Sequence, residues 1–224
     1  MNSEATLQEL ESRKKVIIDL AAAVMRADSG IIYFWDMIAM ACVKRAVCMI
    51  DAYIALIRSQ NFVCAAALLR LHLDTLLRFF AGSLVADPHE LAKRILAGER
   101  LDSIPDKSGK KMRDAHLVNL FSQQVPWIKP IYEKASGYIH LSGLHVWNTF
   151  LGNDGTGRGA MAVTAKDQYV DDETRIRTTL GMIQVTDLFI QCLDKWRYRK
   201  ENPKNRVEQG GAEYPSQGVG APEP

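Results

Sequence analysis

An all-α antiparallel bundle of about six to eight helices is predicted for this chain of 224 residues on three observations. Proline is absent before Pro88, and only Gly30 and Gly82 interrupt that opening stretch. Within it apolar residues recur every three or four positions, the spacing of one helix face. Beyond it, only the short segment 160–163 suits a strand.

The first helix is expected over residues 4–27, with Ser3 as N-cap and Leu7, Leu10, Ile17, Ala21 and Val24 as its apolar stripe. The second is expected over 31–59 and the third over 61–84. Both are apolar over most of their circumference, which puts them at the centre of the bundle. Asp87 followed by Pro88 is an N-cap with proline at the first helical position, and the helix it opens should end near Gly98. Residues 99–109 read as a polar loop, and 110–124 as a helix stopped by Val125-Pro126. Pro130 sits in the first turn of a further helix carrying Ile131, Tyr132, Tyr138 and Leu141. The run GNDGTGRG at 152–159 excludes regular structure on composition alone. The last helix opens at Asp171-Asp172-Glu173 and closes with KWRYRK at 195–200, acids and bases matching the two ends of its dipole. Residues 203–224 hold four of the eight prolines and four glycines with almost no large apolar side chain, so one domain, 1–202, is expected to precede a disordered tail.

Hydrophobic residues make up 47% and charged residues 24%, which excludes a wholly disordered or collagen-like chain. The formal charge of +2 demands neither a nucleic acid nor a membrane partner. The opening residues mix acids with bases before any apolar run, so no secretory leader is expected. Charges interrupt residues 16–69 repeatedly; the longest uncharged stretch there, 59–69, falls far short of the ~20 residues of a membrane span. Cys42, Cys48, Cys64 and Cys192 form no Cys-x-x-Cys pair and read as reduced core residues, which makes a cytoplasmic location the simplest expectation.

Several patterns could carry chemistry. The glycine-rich run with Arg158 lacks the Gly-Lys-Ser/Thr ending and the preceding strand of a P-loop, and reads as a connector. Two segments are basic: 93–113, with seven Lys or Arg against three acids, and 195–206, with six against one. In the second, Arg197, Arg199 and Lys200 interleave with Trp196 and Tyr198, a combination that suits single-stranded nucleic acid as well as an ordinary helix end. Arg70, Asp74 and Arg78 are spaced four apart in an apolar helix, as a salt-bridge ladder or the wall of a polar pocket would need. If one helix continues through residues 138–145, Tyr138, Ser142 and His145 share a stripe and His140 points elsewhere, unless Gly143 breaks the helix. Histidine so placed can serve as general acid or base, or belong to a structural hydrogen-bonded cluster. No metal is expected there, since no carboxylate or cysteine lies within four residues of either histidine, and no cofactor motif occurs elsewhere. A Gly-x-Ser-x-Gly elbow is also missing.

Arg70 with Asp74 in an early apolar helix, followed by Tyr138-x-x-Leu141-Ser142 and then His145, resembles a set of bacterial helical proteins and, more distantly, the HEPN superfamily of small helical bundles. The likeness covers roughly residues 30–150. It implies homodimerisation and metal-independent cleavage of RNA through an Arg-x4–6-His motif, in bacterial stress or defence. Carried over, His145 is the motif histidine, with His140 or Arg70 stabilising phosphate charge. Tyr138, Ser142 and Asp74 would then line the substrate site, and Arg197, Arg199 and Lys200 would hold the backbone. The chain departs from the motif, because His140, Ile139 and Tyr138 occupy the positions where its arginine would stand. The alternative is a non-catalytic helical protein that dimerises or docks a partner.

Overall fold

The computed structural model describes residues 2–167 and 169–202; the expected disordered tail lies outside them. Asn2, not Ser3, caps the first helix, because its side chain accepts the Ala5 N–H at 2.7 Å. That helix, α1 (Ser3–Arg26), buries the expected stripe of Leu7, Leu10, Ile17, Ala21 and Val24. A left-handed turn through Asp28 and Ser29 (φ 54° and 58°) leads to α2 (Phe34–Arg58). A second turn, with Gln60 at φ 64°, leads to α3 (Phe62–Phe80), capped by the Asn61 side chain on the Cys64 N–H at 3.2 Å. After α3 the chain tightens into a 3-10 turn, where Gly82 lies under the Trp35 ring; a Cβ there would come within 2.2 Å of it.

Asp87 caps α4 (Pro88–Leu96) through the His89 N–H at 2.7 Å, as expected. The next helix, α5 (Asp114–Ser122), starts four residues later than the apolar pattern suggests. The Asp106 carboxylate explains the delay. It accepts the backbone N–H groups of Ser108 and Lys110, and the His116 ring bonds it at 2.6 Å. Residues 105–111 are thereby closed into a turn instead of a first helical turn. Burial alone would push the Asp106 carboxyl up, but these bonds together hold it well below the usual carboxylate range.

Two short helices follow, α6 (Ile128–Ser136) and α7 (Gly143–Thr149). A hairpin of β1 (Phe150–Asn153) and β2 (Gly159–Met161) then corrects the reading of 152–159 as wholly irregular. Gly152, Gly155 and Gly157 (φ 124°, 78° and 88°) supply the backbone angles for its bulge and turn. The 30-residue α8 (Asp172–Glu201) completes the described fold, capped by Asp171 on the Thr174 N–H at 2.6 Å.

The four long helices pack in a closed ring, α1 on α2, α2 on α3, α3 on α8 and α8 on α1. Within it α2 runs antiparallel to α1 and α3, whereas α8 runs parallel to both, setting Asp187 by Arg13 and Lys200 by Val24, and Thr186 by His72 and Phe189 by Phe79. The shorter helices α4, α5 and α6 cover its flanks. Not every cysteine belongs to this core: Cys48 and Cys64 are exposed on the outer stripes of α2 and α3, correcting the reading of all four as buried. Between α3 and α8, His72 is fully buried with Nε2 2.9 Å from Thr186 Oγ1. The single hydroxyl proton of Thr186 goes to the Met182 carbonyl at 2.8 Å, so the imidazole donates from Nε2. Burial, reinforced by the charge of Arg45, lowers its pKa to about 3.

The unfolded chain binds a proton at His72 below its ordinary pKa near 6.5, and the folded chain does not until about pH 3. Stability from this residue is therefore complete above pH 6.5 and lost as pH falls, by up to about 1.4 kcal/mol per pH unit. Urea unfolding between pH 7 and 4 should show a shallower acid loss in His72→Gln than in the native chain. Parallel curves would contradict the neutral, buried imidazole.

Candidate functional site

The residues singled out on sequence grounds fall in three separate places. The first surrounds the end of α6. The helix stops at Ser136 and the chain re-enters helix only at Gly143, so Tyr138, Ser142 and His145 do not share one helical stripe. The break is built by Ser142, whose hydroxyl donates to the Gly137 carbonyl at 2.7 Å and accepts the Leu144 N–H at 3.3 Å as the N-cap of α7. Gly137 allows the tight return, since a Cβ there would come within 2.8 Å of the Leu144 side chain.

The turn nevertheless brings two of these residues back together. The Tyr138 and His145 rings meet edge to face with centroids 6.2 Å apart. Burial, then the charge of Asp167, raises the Tyr138 phenol above its ordinary pKa. His145 Nδ1 accepts the Ser142 N–H at 3.2 Å, which completes a capping box. In the neutral ring the proton therefore sits on Nε2, a hydrogen-bond donor. For Nε2 to accept a proton in catalysis, the ring would have to adopt the Nδ1–H tautomer, which gives up the cap. His145 lines a groove of about 310 Å³ with Asn148, Asp167, Tyr169, Cys64 and Asn61. Asn148 Nδ2 is buried there without a hydrogen-bond partner. His140 is exposed on the connecting turn and is not part of this lining.

Arg70 belongs to a second place. Its guanidinium bonds Asp114 at 2.9 Å and Ser136 Oγ at 3.2 Å, and lies 4.1 Å above the Tyr132 ring. The expected ladder is thereby rearranged: Asp74 pairs with Arg78 (3.0 Å) and Arg45 (3.6 Å), while Arg78 also reaches Asp114. Asp114 on α5 outcompetes Asp74 for Arg70, and the cluster clamps α2, α3, α5 and α6. Arg70 is seven residues along α3 from Val63, a lining residue of the His145 groove, or about 10 Å at 1.5 Å per residue.

The third place is the end of α8, where the expected basic, ring-bearing face is largely dismantled. Lys200 is fully buried, with Nζ donating to Asp36 at 2.7 Å and to the Val24 carbonyl at 2.9 Å, so it is withdrawn from any phosphate. Trp196 is also buried and donates Nε1–H to Asp36 at 2.7 Å. Arg197 is held by Asp194 (2.8 Å) and Glu201 (2.5 Å) on its own helix. Arg199 alone of the three named bases stands exposed without a carboxylate partner among the described residues.

Sequence reasoning missed Asp36, whose pairing with residues 160 and 164 positions away leaves no local signal. It also missed a concentration of exposed apolar side chains in the segment 139–169, which includes Leu141, Val146, Trp147, Met161 and Val163. Among the described residues no cluster of three or more His, Cys, Asp or Glu could hold a metal ion, and no helix is long and apolar enough to cross a membrane.

No protein-family model, curated protein or solved structure matches the chain. Ser142→Ala removes both the cap of α7 and the bond to Gly137, with an expected loss of about 1 kcal/mol local to α7. Hydrogen exchange at the Leu144 and His145 amides should accelerate about fivefold while α1 and α8 stay protected. Unchanged exchange at both amides would contradict the capping role.

Proposed function

We propose that this chain is a non-catalytic helical interaction protein that pairs with a second copy of itself through α7 and the β1–β2 hairpin. The observation that carries the reading is the apolar surface there: Leu141 is 89%, Trp147 70%, Met161 64% and Val163 91% exposed. Single exposed apolar residues are ordinary, but a run of them in a charge-poor segment marks an association surface. Between residues 139 and 163 the only charged side chains are Asp154 and Arg158, both at the hairpin tip. Charge depletion of this kind is typical of the buried centre of an interface.

The hairpin supports the same occupant. It is a two-stranded sheet, so each strand has an unpaired outer edge, and such ribbons are marginal on their own in water. All three residues of β2 are exposed. Two copies meeting about a two-fold axis would pair like edges and bury Trp147 against the partner surface, an isologous contact that closes without further growth.

The competing proposal, metal-independent RNA cleavage by a HEPN-like bundle, has weaker support. The Nδ1 lone pair of His145 is engaged in a cap, Arg70 is clamped by Asp114, and Lys200 is buried. Sedimentation of the full chain at about 10 μM should give a dimer, and Trp147→Glu should give a folded monomer with at least a hundredfold weaker association. A native monomer at that concentration would overturn the reading. So would cleavage of RNA in excess chelator that is lost in a folded His145→Ala variant.

A further inference from the structure

A cleft of about 470 Å³ opens between the 3-10 turn after α3, the end of α5 and the last turns of α8. Five aromatic residues, Trp35, Phe79, Phe80, Phe121 and Trp196, contribute to its lining. All five are at least nine-tenths buried, so they are fixed by the core and do not rearrange to make the cleft. Trp35 stacks on Phe79 with centroids 5.7 Å apart, and Phe80 meets Phe121 edge to face at 4.7 Å. Gly82 contributes by what it lacks: any side chain there would drive into the Trp35 ring.

The rim is of a different character. Lys195 and Arg199 stand one helical turn apart on α8, both exposed and both lining the cleft. Neither has a carboxylate partner among the described residues. The reason lies on the other side of the helix, where Arg197 takes both nearby acids, Asp194 and Glu201. Two uncompensated cations thus border an apolar floor, with the amides of Gln124 and Gln191 beside them. Cys192 also lines the cleft, but burial pushes its thiol up to about 11 against the opposing charge of Lys195, so it serves as wall and not as nucleophile.

We propose that this cleft binds a small organic anion with an apolar body and a single carboxylate-type head. The rings take the body, and Lys195 and Arg199 take the head. The volume suits a small-molecule site, as does the pattern of a preformed apolar floor with a few convergent polar groups. Charge complementarity selects the sign, because no acid from the described lining competes for the two cations. This inference does not depend on self-association through α7 and the hairpin.

The test is calorimetric titration of the full chain with decanoate, and separately with decanol, which keeps the body and removes the charge. Decanoate should bind at one saturable site and alter the tryptophan emission, since Trp35 and Trp196 line the cleft. Lys195→Glu/Arg199→Glu, checked for native helicity, should weaken decanoate by about tenfold or more while changing decanol less than about twofold. Leu188→Trp, which fills the cleft from the α8 side, should weaken both ligands. Equal binding of decanoate to the native chain and the charge-reversed variant would overturn the proposal. So would no binding at ~1 mM decanoate, or undiminished binding to a folded Leu188→Trp variant.

Discussion

Inside the bundle, Asp36 accepts hydrogen bonds from Lys200 Nζ (2.7 Å), Trp196 Nε1 (2.7 Å) and the Tyr33 N–H (2.8 Å). Burying an ion pair costs several kcal/mol of desolvation per ion, and only good geometry with the remaining polar atoms satisfied offsets it. Here the surroundings meet that condition. Asp36 stands in the first turn of α2, where the helix dipole favours an anion. Lys200 reaches the Val24 carbonyl in the last turn of α1, where the dipole favours a cation. One contact therefore joins the end of α1, the start of α2 and the end of α8, closing the ring of long helices at its mouth. His89 on α4 packs against the Trp196 ring at 5.6 Å and ties the flank to the same point.

What is available at the surface follows from this closure. With Lys200 and Trp196 drawn inward, α8 is fixed in rotation, so Lys195 and Arg199 turn toward the aromatic cleft and Arg197 turns away with its acids. The same α8 accepts the His72 Nε2–H at Thr186 and the Tyr53 hydroxyl at Thr179 (3.1 Å). By contrast, the apolar side chains of α7 and the hairpin are left outside the bundle. The proposed self-association rests on this contrast between a ring held by buried polar contacts and an appendage that keeps its apolar side chains at the surface.

Much of the ring was legible in the sequence. The stripe of α1, the nearly all-round apolar character of α3, the Asp87-Pro88 start and the acids opening α8 are local signals, and local propensity agreed with packing at each. The errors arose where a side chain from elsewhere redirected the backbone or a charge. Asp106 took amides that would have begun α5 earlier, and Asp114 drew Arg70 away from Asp74. Gly143 flagged a weakness in the helix after Pro130, but whether it breaks depends on Ser142 reaching back to Gly137. A lysine in a basic run reads as solvated, and nothing near residue 200 announces a carboxylate at residue 36. For the same reason the candidate residues Tyr138 and His145 were found, whereas the pairing of Arg70 with Asp114 was not.

The most direct test of this account is a double-mutant cycle on the buried pair, measured by urea unfolding of the native chain, Asp36→Ala, Lys200→Met and the double variant. Each single substitution leaves a buried charge without its partner and should cost about 3–5 kcal/mol, and the double should cost well under the sum, with a coupling of at least ~2 kcal/mol. Single losses below about 1 kcal/mol, or a double loss equal to their sum, would contradict Asp36 as the closure of the bundle.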